Sequence, residues 1–444
     1  MSFNTTATNL AFDDISASFP SASPTTISWV GSIFFIGLAS LLPISGRLAD
    51  RVGRRRVFRW GLTLFAVGAM LSAVAWAPTV LMAARLISSA GGAFVVPSSL
   101  AVILPEFPRA RHTLAVGLWS ATGPVAASLT PPVSALILSV FNWRVLFALS
   151  APVALIALAG SYRVLDESRS ERPGERLDWL GVAIGTAVIA GLIFAVGQGS
   201  SVGWLAPPVL AASFVVFTGF PVFLRRCRRH PEPMLNLDIF LLRPVWVANL
   251  GGFLMNLGAN AMWLVWPLYM ARVWHYDKGQ IGLALLPAPI MSAAVTLIGS
   301  RISERHGHEV LARWGPCISL LAPVWPLMFI GAEPNYWLAM FPAIAFTGAG
   351  WALVIPPLNT GLISRVGSDH YAEVNATYNA VHNVAAALGL ALTIAVLGDP
   401  QRLDAIDAYN HVFWMCIVSG LACWLVLFFM YPTQRRTREA KDPS

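Results

Sequence analysis

Long apolar runs, separated by short polar breaks, make up most of the chain. The hydrocarbon core of a bilayer is about 30 Å thick, so a helix that crosses it needs about 20 apolar residues. The pattern therefore predicts a series of membrane-spanning helices. They lie near residues 25–45, 58–76, 79–104, 113–140, 143–164, 178–198, 204–224, 244–270, 279–299, 310–330, 336–363, 374–397 and 408–431.

The stretch before these thirteen spans, residues 1–19, is too polar for a typical span. It also lacks the basic start and apolar core of a cleaved signal peptide. We interpret it as the end of a first helix that is short or truncated, which gives fourteen helices in all. A disordered polar tail is the alternative interpretation.

Composition supports the class that the pattern indicates. Of the 444 residues, 56% are hydrophobic and only 12% are charged, and the mean hydropathy is +0.64. A soluble domain carries about twice that share of charged residues. We therefore predict an all-α, polytopic membrane protein.

The distribution of the basic residues predicts how the chain is oriented. We assign 25 of the 30 Lys and Arg residues to alternate loops and the C-terminal tail on one side, and only four to the other side. Such an excess marks the cytoplasmic side of a membrane protein. It explains the net charge of +8 without a nucleic-acid partner. The expected location is a bacterial inner membrane, with the C-terminus in the cytoplasm.

Two pairs of similar segments indicate an internal repeat. GRLADRVGRRR begins at Gly46 and SRISERHG begins at Ser300, an offset of 254 residues. GGAFVVPSSL, with Gly91 and Pro97, matches GWALVIPPLN, with Gly350 and Pro356, at an offset of 259. Parallel repeats of this kind occur in transporters. The predicted domains are a six-helix bundle at 1–164, an inserted helix pair at 165–243, a second bundle at 244–431 and a tail at 432–444.

These motifs resemble those of the major facilitator superfamily, and the inserted pair resembles its fourteen-helix drug:proton antiporter branch, of the EmrB/QacA type. The resemblance covers nearly the whole chain. It implies two six-helix bundles around a central cavity, with the inserted pair at the edge. Gly91, Pro97, Pro131 and Pro356 are then expected to bend helices or to pack them closely.

The resemblance implies a cytoplasmic gate at the first charged segment, which we expect to be a short loop starting at Gly46. The resemblance implies that Asp50 acts as a latch between the two bundles. Asp50 is acidic, whereas the signal that sets membrane topology on this side consists of basic residues. The alternative is that the arginines only fix topology. The full set expected at this gate is Gly46, Asp50, Arg51, Gly53, Arg54, Glu304 and Arg305.

Arg85 lies inside a predicted span. An ionisable side chain inside a membrane costs free energy, so its presence there indicates a functional role. RLISSAGGAFVVP resembles the family segment in which this arginine is tied to proton coupling; snorkelling to the surface is the alternative.

Proteins of this branch usually have an acidic residue early in the first helix, followed by an asparagine. In this chain Asn4 stands at the position of the acid, and Asn9 matches the later asparagine. Asp13 and Asp14 are candidate proton carriers, with a solvated pair in an outer loop as the alternative.

Two further helices carry polar residues at helical spacing, which predicts faces turned to a cavity or to another helix. His382 is a candidate proton carrier near neutral pH, although a neutral, hydrogen-bonded histidine is the better interpretation. The residues expected to line the substrate cavity are Asn9, Asn249, Asn256, Asn260, Trp263, Asn375 and Asn379.

Together these features predict a secondary transporter that exports a small organic, amphiphilic solute in exchange for protons. No P-loop, metalloprotease or serine-hydrolase motif occurs in the chain, so we predict no enzyme activity, cofactor or metal. The expected partners are the solute, protons and the lipid bilayer, and the expected state is a monomer. The alternatives are a non-transporting membrane receptor, a degenerate transporter, or a uniporter or symporter of the same fold.

Overall fold

The computed structural model of the protein is all-helical. Within the described residues no strand occurs, and nine helices are long and apolar enough to cross a membrane by length and composition. The described residues are 11–103, 126, 130, 133–134, 136–165, 178–231, 233–363, 371–398 and 406–432.

The first half of the chain contributes six described helices, which we number in chain order. They are α1 (Phe12–Ser18), α2 (Pro24–Val52), α3 (Arg54–Ala73), α4 (Pro78–Ile103), α5 (Trp143–Ala148) and α6 (Ser150–Val164).

The insert and the second half contribute ten more helices within the described residues, together with one π-helical turn at Tyr336–Met340. The insert is α7 (Trp179–Val202) and α8 (Pro207–Arg229). The others are α9 (Leu237–Phe240), α10 (Arg243–Arg272), α11 (Lys278–Ala284), α12 (Pro287–His306), α13 (His308–Phe329), α14 (Phe341–Ile363), α15 (Tyr371–Leu397) and α16 (Ile406–Met430).

The first charged segment is not the loop that we expected to start at Gly46. Helix α2 continues through Gly46 to Val52, and the chain turns only at Gly53, where φ is 121°. The Gly53 amide donates to the carbonyl of Ala49 over 3.0 Å, and α3 begins at the next residue. The prediction was wrong because a glycine in a helix interior costs less than 1 kcal/mol, whereas only a glycine readily adopts the φ found at residue 53.

The same turn occurs in the second half, 254 residues later. Helix α12 ends at Gly307, where φ is 88°, and α13 follows directly. The Gly307 amide donates to the carbonyl of Ser303 over 2.9 Å. The offset between the turns equals the offset between the two sequence motifs, so both motifs end in the same helix–glycine–helix connection.

The repeat extends to helix packing beyond the turns. Gly61 of α3 lies against α4, where a Cβ atom would come within 3.0 Å of the Cβ of Phe94. Gly315 of α13 lies against α14, where a Cβ atom would come within 3.0 Å of the Cβ of Leu353. Gly61 and Gly315 are related by the 254-residue offset, and Phe94 and Leu353 by the 259-residue offset. Glycine thus permits equivalent close helix contacts in the two halves.

The polar start of the chain contains the helix that we interpreted as the end of a first span. The seven residues of α1 bury Phe12 and Ile15. They belong to a hydrophobic cluster that also contains Trp143 of α5 and Leu264 of α10. Helix α1 therefore packs at a place where both halves meet.

The inserted pair covers the seam between the halves. Ile193 of α7 packs in one cluster with Ile36 of α2 and Ala391 of α15. Helix α8 packs mainly on α7, and most of its residues are exposed. In a bilayer, this exposed side of α8 faces lipid.

Candidate functional site

Arg85 is buried in the interior of the first half. Its side chain lies on α4 and is only 1% exposed. The Nε atom donates to the backbone carbonyl of Val30 on α2 over 3.2 Å. The guanidinium carbon lies 4.3 Å from the ring centroid of Phe34 and 5.2 Å from that of Phe147. The side chain is thus held by stacking and does not reach the surface.

The remaining nitrogens of Arg85 have unused hydrogen-bonding capacity. Among the described residues, neither Nη1 nor Nη2 has a hydrogen-bond partner. An unpaired charge buried in a low-dielectric interior costs several kcal/mol, whereas stacking on aromatic rings returns about 2 kcal/mol. The site is therefore suited to a transient anionic or accepting partner.

Two ion pairs join the halves at the end of the molecule opposite the glycine turns. Asp13 Oδ1 lies 2.9 Å from an Nη of Arg272, at the end of α10. Asp14 Oδ1 lies 2.5 Å from Nζ of Lys278, at the start of α11. All four side chains are partly exposed, from 25% to 44%. The pairs are therefore accessible to water, and each contributes only about 0–1 kcal/mol to the contact between the halves.

A cavity of about 530 Å³ lies beside these pairs. It is lined from the first half by α1 and by Leu138 and Ser139, and from the second half by α10 and α11. Asp13, Asp14 and Lys278 form part of its wall. The ion pairs therefore lie in the wall of a water-accessible cleft between the halves.

The asparagines of α10 satisfy their own donors within the helix. Nδ2 of Asn249, Asn256 and Asn260 donates to the carbonyl four residues earlier, over 2.8, 3.0 and 2.9 Å. Among the described residues, the buried Oδ1 of Asn249 has no donor. This face thus carries three amide groups, of which those of Asn249 and Asn256 are buried, and the half-buried Trp263 adds an aromatic surface.

His382 packs tightly between α15 and α10. Its ring centroid lies 3.8 Å from that of Tyr378, and its Nε2 would lie 2.3 Å from a Cβ atom on Gly252. The imidazole thus fills a space that exists because residue 252 is glycine. The expected hydrogen bond is not found at Nε2 within the described part of the chain.

At the predicted cytoplasmic gate, the structure gives the backbone and some of the side chains. Arg51 and Arg305 are exposed near the ends of α2 and α12, and Arg54 begins α3. The bend sites Gly91, Pro97 and Pro356 lie within long helices. Asn379 is half-buried on α15. Outside the described residues or side chains lie Asn9, Asp50, Pro131, Glu304 and Asn375.

Comparison with known proteins gives the family. The family profile described as Major Facilitator Superfamily matches residues 1–224 and 248–444. The chain belongs to this superfamily. Its membership confirms the predicted fold of two helical bundles and the prediction that the chain is a transporter and not an enzyme. Major facilitator proteins bind small-molecule substrates within the membrane, so the chain is a multi-pass membrane protein with a small-molecule substrate.

Relatives within the superfamily include drug-resistance proteins. The chain is 29% identical over 411 residues to a methylenomycin A resistance protein of Streptomyces coelicolor, covering 91% of this chain and 85% of the relative. It is 26% identical over 390 residues to the multidrug resistance protein Stp of Mycobacterium tuberculosis, covering 88% and 72%. These relatives agree with the drug:proton antiporter branch that the sequence resembles.

Solved structures of the superfamily share the fold. An auto-inhibited POT family peptide transporter superposes with a TM-score of 0.65 at 13% identity, covering 100% of this chain and 99% of that one. The human organic anion transporter MFSD10 gives a TM-score of 0.61 at 16% identity, covering 96% and 97%.

The sequence analysis missed two arginines that are equivalent in this major facilitator repeat. Arg59 of α3 donates through Nη2 to the carbonyl of Ser161, near the end of α6, over 2.7 Å. Arg313 of α13 donates through Nη2 to the carbonyl of Tyr431, just after α16, over 3.0 Å. Both arginines begin the tripeptide Arg-Trp-Gly, repeated at the 254-residue offset, which was the signal available in the sequence.

Proposed function

We propose that this major facilitator protein exports a small amphiphilic organic solute in exchange for protons, by alternating access. The names of its drug-resistance relatives support export of a drug-like solute. The proposed location is the inner membrane, with the basic loops and the C-terminus in the cytoplasm. The protein acts as a monomer, with the two bundles at 1–164 and 244–431 as its moving parts and no nucleic-acid partner.

The observation that carries the proposal is the pair of ion pairs between the halves. Asp13 and Asp14 belong to the first half, whereas Arg272 and Lys278 belong to the second. Charges from opposite halves hold the outer end closed, and their exposure makes the closure reversible. A transporter needs such a contact on each side of its solute, opened in turn.

Protons enter this scheme at the same carboxyl groups. Protonation of Asp13 or Asp14 removes the negative charge and releases the partner cation, which favours opening of the outer end. Arg85, buried behind this gate, supplies the positive charge that links proton binding to the solute. The gate around Asp50 closes the inner end.

The solute binds between the halves, against the asparagine face of α10 and α15. The amide oxygens of α10 accept hydrogen bonds, while Trp263 packs against apolar parts of the solute. Such a surface of aromatic side chains and few polar groups is typical of sites for small organic ligands.

The test is transport by the purified full chain in proteoliposomes that enclose a pH-sensitive dye. A panel of amphiphilic solutes is offered with and without an imposed pH gradient. We expect solute movement that follows the gradient, together with proton movement in the opposite direction. Solute movement that ignores the gradient would indicate a uniporter, and proton movement in the same direction would indicate a symporter.

The receptor and degenerate-transporter alternatives are tested in the same preparation. Either predicts saturable solute binding, or none, with no accumulation under any gradient. That result, obtained with protein that elutes as a single species and binds at least one solute, would refute transport.

A further inference from the structure

The inserted helix pair carries a second groove, far from the cleft between the halves. It has a volume of about 310 Å³ and lies where the start of α7 meets the end of α8. Its lining residues are Leu180, Ile184, Val222, Arg225, Arg226, Arg229, His230 and Pro231. Basic groups thus line one part of the groove and aliphatic groups the other.

The end of this helix pair is held in place by a partly buried ion pair. Asp178 is fully buried and accepts from the backbone amide of Gly181 over 2.8 Å, which caps the start of α7. The same oxygen lies 2.5 Å from Nε of Arg226 on α8. Asp178 and Arg226 neutralise each other, so the net positive charge of the groove comes from its other basic residues.

Arg225 and Arg229 supply that charge. They lie four residues apart on α8, on one face of the helix, and both are exposed. Among the residues that the structure describes, neither has an ion-pair partner. Two adjacent guanidinium groups at one end of a groove favour a phosphate group, to which arginine donates in a bidentate manner.

The rest of the groove fits an acyl chain. Leu180 and Val222 are 55% and 52% exposed, and they lie on helices that span the membrane. Towards the middle of α8, Phe217 is 78% exposed. An apolar surface that continues from a basic end into the bilayer matches a phospholipid, because its phosphate lies at the interface and its tails lie in the hydrocarbon.

We propose that this groove binds one anionic phospholipid, with its phosphate on Arg225 and Arg229 and an acyl chain along Leu180 and Val222. Because α7 packs on both α2 and α15, a lipid bound here rests against the helix that covers the seam between the halves. The site does not depend on the direction of transport or on protons.

The experiment measures lipid retention by native mass spectrometry of the purified full chain in mixed micelles. Phosphatidylglycerol is compared with phosphatidylcholine of the same acyl chains. We expect preferential retention of phosphatidylglycerol, and Arg225→Gln or Arg229→Gln should each weaken it roughly fivefold, the equivalent of about 1 kcal/mol for one basic residue near an anionic surface.

Arg228→Gln is the matched control, because Arg228 lies on the same helix and carries the same charge but does not line the groove. We expect it to retain phosphatidylglycerol as the parent protein does. Val222→Trp fills the apolar part and leaves every arginine in place, and it should also weaken retention. Elution as a single species confirms folding of each variant.

Three outcomes would overturn the proposal. One is an equal loss in the Arg228 and Arg229 variants, which would mean general charge attraction. The second is unchanged retention in the Val222 variant. The third is displacement of the lipid by millimolar inorganic phosphate, which would indicate a site for small anions.

Discussion

The two halves of the protein share a scaffold and differ in chemistry. Gly53 and Gly307 form the same turn, and Arg59 and Arg313 bind the ends of equivalent helices. At the 259-residue offset, however, the counterpart of the buried Arg85 is Ile344, which is fully buried. The residues that shape the bundle are therefore kept in both halves, whereas the intramembrane charge belongs to one half.

The second half carries polar groups of a different kind. Its buried polar side chains include Asn249 and Asn256, and His382 packs beside them. None of these carries the permanent charge of an arginine. In the proposed mechanism, the buried intramembrane charge therefore lies in the first half, and polar groups of the second half recognise the solute.

The halves also differ in one helix. The first has the unbroken helix α2 at Pro24–Val52, and the equivalent residues of the second, at the 254-residue offset, form α11 and α12 with a break before Pro287. Proline lacks the amide that would continue the helix. The break places Lys278, which pairs with Asp14, at the start of a short helix of its own.

Among the variants that test the difference between the two halves, the largest effect is expected at Arg85. Arg85→Ala should lower proton-coupled transport at least about tenfold, because it removes the intramembrane charge to which we assign coupling. The measurement is solute accumulation under a pH gradient in proteoliposomes. Ile344→Ala, at the equivalent position, should lower thermal stability but keep the dependence on pH. Equal losses of coupling in both variants would remove the proposed difference between the halves.

The next effect concerns the contact between the halves. Asp14→Lys places two like charges together and should open the outer end. Labelling of Leu138→Cys, at a buried position in the wall of the cleft, should rise roughly three- to fivefold, since a partly exposed pair contributes about 1 kcal/mol. Adding Lys278→Asp restores opposite charges and should return labelling to the parent rate. Labelling that stays high in this double variant would argue against the gate.

The shared turns give a third, smaller effect. Gly53→Ala and Gly307→Ala should each destabilise the protein by about 1–3 kcal/mol, because neither φ suits a residue with a Cβ atom. Gly46→Ala should be neutral or stabilise by about 0.5–1 kcal/mol, since Gly46 lies inside a helix with no atom within 4 Å of an added Cβ. Thermal unfolding in detergent measures all three. A larger loss at position 46 than at position 53 would contradict the observed turn.

The smallest effect is expected at the paired arginines. Arg59→Gln should destabilise by about 1–2 kcal/mol and Arg313→Gln by about 1 kcal/mol, as expected for charge-assisted hydrogen bonds in part-buried places. Arg59 should matter more because it also bonds the Ser161 hydroxyl over 3.1 Å and stacks 3.8 Å from the Tyr162 ring centroid. Unfolding temperatures of the two variants provide the comparison. A larger loss at Arg313 than at Arg59 would contradict the contribution of these additional contacts.

Much of the architecture followed from the sequence, because a bilayer requires long apolar helices and a repeat leaves its spacing in the chain. The 254-residue offset identified equivalent segments, although the first turn lies at Gly53 and not at Gly46. The intramembrane position of Arg85 marked it as unusual. The ends of helices were harder to predict, because Gly46 and Gly53 are both glycines in the same charged segment. Only the backbone conformation separates a tolerated helical glycine from one that makes a turn.

What the sequence by itself determined was therefore the class, the repeat and the family of the protein. Tertiary structure decided which charges meet. Asp13 and Arg272 lie 259 residues apart and Asp14 and Lys278 lie 264 apart, and no local pattern joins them. Their pairing depends on how the two bundles pack against each other, and the groove on the inserted helices depends likewise on the packing of α7 against α8.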